Sequence, residues 1–329
     1  MQVALTGDVM LGRLVNDLVI ENRTVRPEAL WGDMLPVMRR ADCRLINLEC
    51  VISDRGAPWH PATKAFHFRA RPRAVDVLRA AGIDGVMLAN NHVLDYGQEA
   101  FLDCLRRLDE AGLTRAGAGA SLEEARAPAV FSLGERSMAL VALTDNEPEW
   151  EATHNKPGIN YVAYNDRGVL PNYRARMARA LSLARRQADL VLVSAHVGPN
   201  WGAPSRAMRA LAHELIEMGA DLYWGHSNHT PQGIEWYQGK AILYSTGDFV
   251  DDYMVDSAER NDLSFLFLLE VERTRIRQIL LLPVRIEHCR VRRANEREQT
   301  VLARTMQAKC ATFGTAVLFR EGIGTVTIE

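Results

Sequence analysis

Short apolar runs recur along the chain, and most are followed by a stretch whose apolar positions repeat every three or four residues. VALTGD (3–8) and RLINLE (44–49) read as strands. After Pro72, a favoured first helical residue, Val75, Leu78 and Ala81 share a helical face that stops at Gly82. GVMLANNH (85–92) is a strand, and residues 99–112 place Phe101, Leu105 and Leu108 on one helical stripe closed by Gly112. The alternation continues with strand 137–146, an Arg-rich amphipathic helix over 172–188, strand 189–196, helix 205–219, and strands 221–229 and 241–248. This order predicts an α/β fold. From about 262 the pattern turns towards β, with LSFLFLLEVE, IRQILLLPVRIEHCRV, a short helix near 296–310, then TAVLFR and GTVTIE. No Gly-, Ser- or Pro-rich linker precedes this tail, so it is expected to complete the same sheet system.

The polar residues gather where the apolar runs end. VALTG stops at Asp8, RLINL at Glu49, VMLA at Asn91-His92, VLVSA at His196, LYWG at His226 and His229, and LYSTG at Asp248. One such ending reads as a turn, since Asn tolerates left-handed conformations. Six endings with this residue menu point instead to the crevice at the carboxyl ends of strands, where open α/β sheets bind ligands. Carboxylates, an amide oxygen and imidazoles without a thiolate suit a divalent Zn, Mn or Fe ion. His60, His67, His154, His213 and His288 lack this setting and read as structural.

Composition narrows the picture. At 329 residues, 47% hydrophobic and 24% charged, the chain matches an ordinary globular protein with a large core. A net charge of −2 offers no bulk attraction for nucleic acid. No window approaches a membrane span, and MQVALTGDVMLGR lacks the layout of a signal peptide. Five cysteines without a CxxC pair argue for reduced thiols and a cytoplasmic setting. Lysine occurs only at 64, 156, 240 and 309, arginine making up the rest of the 39 basic residues.

In order, GDVMLGR (7–13), NLE (47–49), TKAFHFRARP (63–72), LANNHVLDYG (88–97), SAHVGPNW (194–201), GHSNHTPQGIE (225–235) and ILYSTGDFVDDY (242–253) resemble the CapA-type branch of the calcineurin-like metallophosphatase superfamily. Its proteins are associated with poly-γ-glutamate capsule synthesis. The resemblance implies a four-layer α/β/β/α sandwich, with a metallophosphatase-like catalytic domain over 1–253 and a β-rich extension, 254–329, packed on it. It also implies metal ligation by Asp8, Glu49, Asn91, His196, His226 and His229, with His92 as the catalytic imidazole. Two positions depart from the superfamily pattern. Met10 stands where Asp-x-His would place an imidazole, and Glu49 stands where a bridging Asp is usual.

One or two divalent ions are therefore expected, acidifying water or polarising a carbonyl. Asp95 is placed to orient His92. Arg13, Lys64 and Arg69 are candidates for holding an anionic group of a small-molecule or peptide substrate. The leading expectation is a metal-dependent hydrolase acting on a phosphoester or on a γ-glutamyl or peptide amide. A metal-dependent peptide Cα-epimerase in a ribosomal-peptide pathway and a non-catalytic scaffold for polymer synthesis are the alternatives. The sequence does not fix the oligomeric state.

Overall fold

A computed structural model of the chain describes residues 1–60 and 64–327; Thr63 of the TKAFHFRARP motif and Ile328–Glu329 of the last predicted strand lie outside them. The fold is mixed α/β, with a ten-stranded sheet, a six-stranded sheet, three two-stranded pairs and eight α-helices among the described residues. In the larger sheet Gln2–Val9 is flanked in parallel by Cys43–Leu48, which leads on to Gly85–Met87 and Thr114–Ala116. On its other side it pairs antiparallel with Leu263–Glu272, and that strand with Arg275–Glu287. The smaller sheet centres on the parallel strands Arg136–Thr144, Leu190–His196 and Leu222–His226.

Period-2 alternation along these strands separates three cores. Leu5, Leu45, Leu140 and Leu192 belong to a core shared by both sheets. Their neighbours Ala4 and Ile46 face a core built with Val77, Leu78, Phe101 and Leu105 from helices Ala74–Ala81 and Gly97–Glu110. Val141 and Val193 face a third core with Met177, Leu181, Leu211 and Leu215 from helices Pro171–Gln187 and Arg206–Glu217. The strands are buried on both faces, which is why they read as continuous apolar runs.

Three boundaries differ from the sequence reading. The strand 85–92 closes at Met87, and Leu88–His92 is irregular chain that turns the two amides and the imidazole inward. The run over 276–291 is two antiparallel strands, Arg275–Glu287 and Arg290–Arg293, joined through His288 and Cys289 at positive φ. The run AILYSTGD is likewise not one strand. Lys240–Leu243 belongs to the smaller sheet, and the chain then crosses to the larger sheet, where Asp248–Val250 pairs in parallel with the first strand and Asp248 is in register with Asp8. The crossing requires close backbone approach. A Cβ on Gly7 would lie 2.1 Å from the carbonyl oxygen of Gly247, and one on Gly225 2.2 Å from that of Tyr244.

Candidate metal centre

Asp8 is buried near the end of the first strand, its backbone N–H bonded to the Gly247 carbonyl at 2.8 Å. Its Oδ1 accepts from Asn47 Nδ2 at 2.8 Å and lies 2.9 Å from His226 Nδ1. Its Oδ2 accepts from the Ser227 N–H at 3.3 Å and lies 3.8 Å from His196 Nδ1. Glu49 follows the strand Cys43–Leu48. Its Oε1 is 3.9 Å from both His196 Nε2 and His92 Nε2, and its Oε2 accepts from the Tyr253 hydroxyl at 3.1 Å. One ligand atom each from Asp8, Glu49 and His196 fits within 4.8 Å. His196 and His226 are the last residues of adjacent parallel strands and stand in register, so their rings run side by side.

Several buried polar atoms of this cluster have no hydrogen bond: Asn91 Oδ1, both ring nitrogens of His226, and Asp248 Oδ2. The approach of His226 Nδ1 to Asp8 is thus a meeting of two ligand atoms rather than a hydrogen bond. An unsatisfied buried polar atom costs about 1–3 kcal/mol, so several together need a shared partner. A divalent cation meets that need, and the nitrogen–oxygen donor set suits Mn, Zn or Fe. The residues fit a metal.

The electrostatics agree with this fit. Burial pushes the Asp8 carboxyl up, but His226, His196 and Asn47 outweigh it and hold the group well below the usual carboxylate range. Burial, then the Asp8 and Asp248 carboxylates, push Glu49 well above its ordinary value. Burial takes His196 down to about 3 against the pull of Asp8, leaving it a neutral lone-pair donor. Such an anionic, poorly solvated cluster of carboxylates is balanced when a cation binds.

Asn91, His92, His196, His229 and Glu49 line one cavity of about 280 Å³. His229 turns Nδ1 towards Asp248 Oδ1 at 3.0 Å. His92 lies against Phe68, ring centroids 3.9 Å apart, with Nδ1 2.6 Å from Asp95 Oδ2. Asp95 is fully buried, and the same Oδ2 accepts from the Phe68 N–H at 2.6 Å. Burial lowers the His92 pKa, and Asp95 opposes the shift.

The three candidate anion-binding side chains have different places. Arg13 lines the cavity and forks onto Asp252, Nε at 3.2 Å and Nη2 at 2.9 Å. Lys64 lies behind His92, its ammonium 2.8 Å from Asp95 Oδ1, 2.9 Å from Glu147 Oε1, in contact with the Asn91 carbonyl, and over the Trp150 ring. Arg69 packs over Tyr96 at 4.0 Å and donates to the Arg55 carbonyl, outside the cavity lining. Met10 is fully buried and its Sδ accepts the Gly12 N–H at 3.0 Å, so its side chain belongs to the core.

Sequence reasoning missed four participants. Asn47 donates to Asp8 and lies 3.0 Å from His196 Nδ1, yet it sits inside an apolar run and reads as an interruption of it. Asn90 donates to Asn47 Oδ1 and to the Leu48 carbonyl, fixing the irregular segment that carries Asn91. Tyr253 closes the motif ILYSTGDFVDDY but has no role legible there, and Glu147 reaches the site from a distant loop that nothing local in the sequence marks.

Residues 2–253 match the model of a family described as bacterial capsule synthesis protein PGA_cap. A probable polyglutamine synthesis accessory protein of Mycobacterium tuberculosis is 32% identical over 97% of this chain and 93% of its own. The capsule biosynthesis protein CapA of Bacillus anthracis is 28% identical over 76% of this chain and 59% of its own. The PGA biosynthesis protein CapA of Bacillus subtilis is 29% identical over 77% and 63%. A solved structure of a hypothetical protein from Thermus thermophilus is similar in fold alone, with a TM-score of 0.51 at 16% identity, over 87% of this chain and all of that one.

Proposed function

The chain belongs to the bacterial capsule synthesis protein family PGA_cap, and from that premise we propose that it is a metal-dependent hydrolase acting on a phosphoester or on a γ-glutamyl or peptide amide. The proposal includes a four-layer sandwich of the calcineurin-like type, with 1–253 as the catalytic unit and 254–329 as an extension of it. The three cores support that layering. Five free, buried cysteines support a cytoplasmic setting, and no helix among the described residues is long and apolar enough to cross a membrane.

The observation that carries the reading is the contrast between neighbours. Asn91 brings a buried, unpartnered amide oxygen to the site, and His92, one residue on, is oriented by a buried carboxylate. Asp8, Glu49, Asn91, His196, His226 and His229 would hold one or two divalent ions. When bound, a divalent ion supplies Lewis acidity at the reacting group. The chain's own residues supply the rest. Asp95 accepts from Nδ1 of His92, which leaves Nε2 to accept or return a proton inside the cavity. Lys64 braces Asp95 from the far side, and Tyr253 holds the Glu49 arm.

A non-catalytic role in polymer synthesis is the second reading, favoured by the word accessory in the names of the M. tuberculosis relatives. Peptide epimerisation is the third, favoured by the structural burial of Met10 where a metal-binding imidazole would stand. Incubation with phosphoesters and with γ-glutamyl and α-peptides in heavy water separates the three. Release of phosphate or a shortened peptide supports hydrolysis. Deuterium at a peptide Cα with no change in length replaces it with epimerisation. Neither product from metal-replete protein leaves the scaffold.

A further inference from the structure

The cavity above the candidate metal centre has a polar floor and an aromatic approach. Phe66, 60% exposed, stacks on Phe68 with centroids 6.4 Å apart, and Phe68 stacks on His92. Trp201, 40% exposed, meets the ring of His229 at 5.5 Å, and His229 meets Tyr253 at 5.0 Å. Two ladders of rings thus run from exposed side chains to site imidazoles. Met254 lines the same cavity and is 90% exposed. Single exposed apolar side chains are ordinary, but three of the largest in this chain line one cavity.

Positive charge is scarce there. Apart from the imidazoles, Arg13 is the one basic side chain among the described residues lining the cavity. Both arms of its fork are on Asp252, whose side chain is 1% exposed, and its guanidinium lies 5.6–5.9 Å from the rings of Phe66, Phe68 and Tyr253. Drawing Arg13 onto an anionic ligand would leave the buried Asp252 carboxylate with the Leu14 N–H alone, a costly exchange. Lys64 and Arg69 are engaged elsewhere, Lys64 with Asp95 and Glu147. No basic side chain lining the cavity among the described residues is thus free to receive a polyanion.

We propose that this site takes an uncharged peptide segment, with an aromatic or aliphatic side chain next to the reacting amide packed on Phe66, Trp201 and Met254, and that it discriminates against polycarboxylate chains. The proposal narrows the substrate class of the hydrolase reading and rests on it only for the word reacting; the binding preference stands or falls separately. Packing one large apolar side chain corresponds to roughly ten- to a hundred-fold in affinity.

Isothermal titration of the full-length, Mn²⁺-supplemented protein tests it. The titrants are a blocked neutral tripeptide with central Phe, its central-Gly analogue, a γ-glutamyl trimer, and decanamide as an acyl chain without a peptide. The Phe peptide is expected to bind at least ten-fold more tightly than each of the other three. Trp201→Ala and Phe66→Ala, both at exposed positions, are each expected to weaken it five-fold or more while metal content stays at the wild-type level. Equal or tighter binding of the γ-glutamyl trimer overturns the proposal. So does equal binding of decanamide, which would make the surface an acyl-chain site, and so does an unchanged affinity in both variants. Tight, Trp201-dependent binding of a Phe peptide that is never cleaved upholds this inference while removing the hydrolase.

Discussion

His92 and Asp95 are joined through Nδ1 and Oδ2 at 2.6 Å, while Nε2 of the same ring lies 3.9 Å from Glu49 Oε1. One edge of the imidazole is therefore committed to a carboxylate and the other is left for the cavity. His92→Ala is expected to retain wild-type metal content and to lower turnover roughly 10²- to 10⁴-fold, the range for a lost general acid or base. Asp95→Asn should lower turnover in the same direction by disturbing the tautomer. Elemental analysis beside a turnover assay checks both. Loss of metal from His92→Ala would instead make the ring a ligand.

Asn91 and His226 carry the unpartnered atoms of the cluster. Purified protein is expected to contain one to two equivalents of a divalent transition metal, and Asn91→Ala or His226→Ala to reduce that content. A metal that binds only the folded chain adds about 2.7 kcal/mol of stability at a hundred-fold excess over its Kd. Chelation should accordingly lower Tm, and the drop should shrink in both variants. A wild-type Tm indifferent to chelator and to added metal would remove the centre.

Gly7 allows the strand carrying Asp8 to meet the crossing segment. Gly7→Ala would press its Cβ against the Gly247 carbonyl, which accepts the Asp8 N–H. Overpacking of this kind costs about 1–3 kcal/mol. Because backbone rather than a flexible side chain must yield, metal content should fall as well. Denaturant melts and elemental analysis of the variant test the pair of effects, and a stable variant with full metal content contradicts the account.

Away from the site, burial pushes the Asp103 carboxyl up, but hydrogen bonds from Arg106, Arg107 and Ser53 outweigh it and hold it at about 2, below its ordinary 3.8. A depressed carboxylate contributes its stability fully above the unfolded value, and that contribution is lost as pH falls from about 4 to about 2. Solvent screening of the partly exposed arginines keeps that contribution well below the full value of the shift. Asp103→Asn should be less stable near neutrality and show a shallower fall of Tm across that acid window. Parallel Tm–pH curves for the two proteins would show that the ion pairs contribute nothing.

The site was legible where its residues end apolar runs. Asp8 stands one residue before the end of its strand, and His196 and His226 close theirs; the continuous hydrophobicity of these strands announces burial on both faces, so a polar residue there must have a purpose. Asn47 opens the motif NLE, yet its role was hidden because its partners, Asp8 and His196, are remote in sequence. The setting of Lys64 was hidden for the opposite reason. A lone lysine in a polar segment reads as free charge, whereas its partners Asp95 and Glu147 belong to separate loops. The crossing within AILYSTGD was hidden because apolar content does not record which sheet a strand joins.

The first strand lies beside Leu263–Glu272, some 260 residues further along the chain. During synthesis, Gln2–Val9 leaves the ribosome long before this neighbour exists, and Asp8 waits as long for Asp248. Pairings of such sequence separation form slowly, and an apolar strand with one open edge is prone to aggregate meanwhile. The site is therefore expected to assemble only once His229 and Asp248, which meet at 3.0 Å, have both emerged. Metal is accordingly expected to bind after these long-range pairings form rather than to nucleate them.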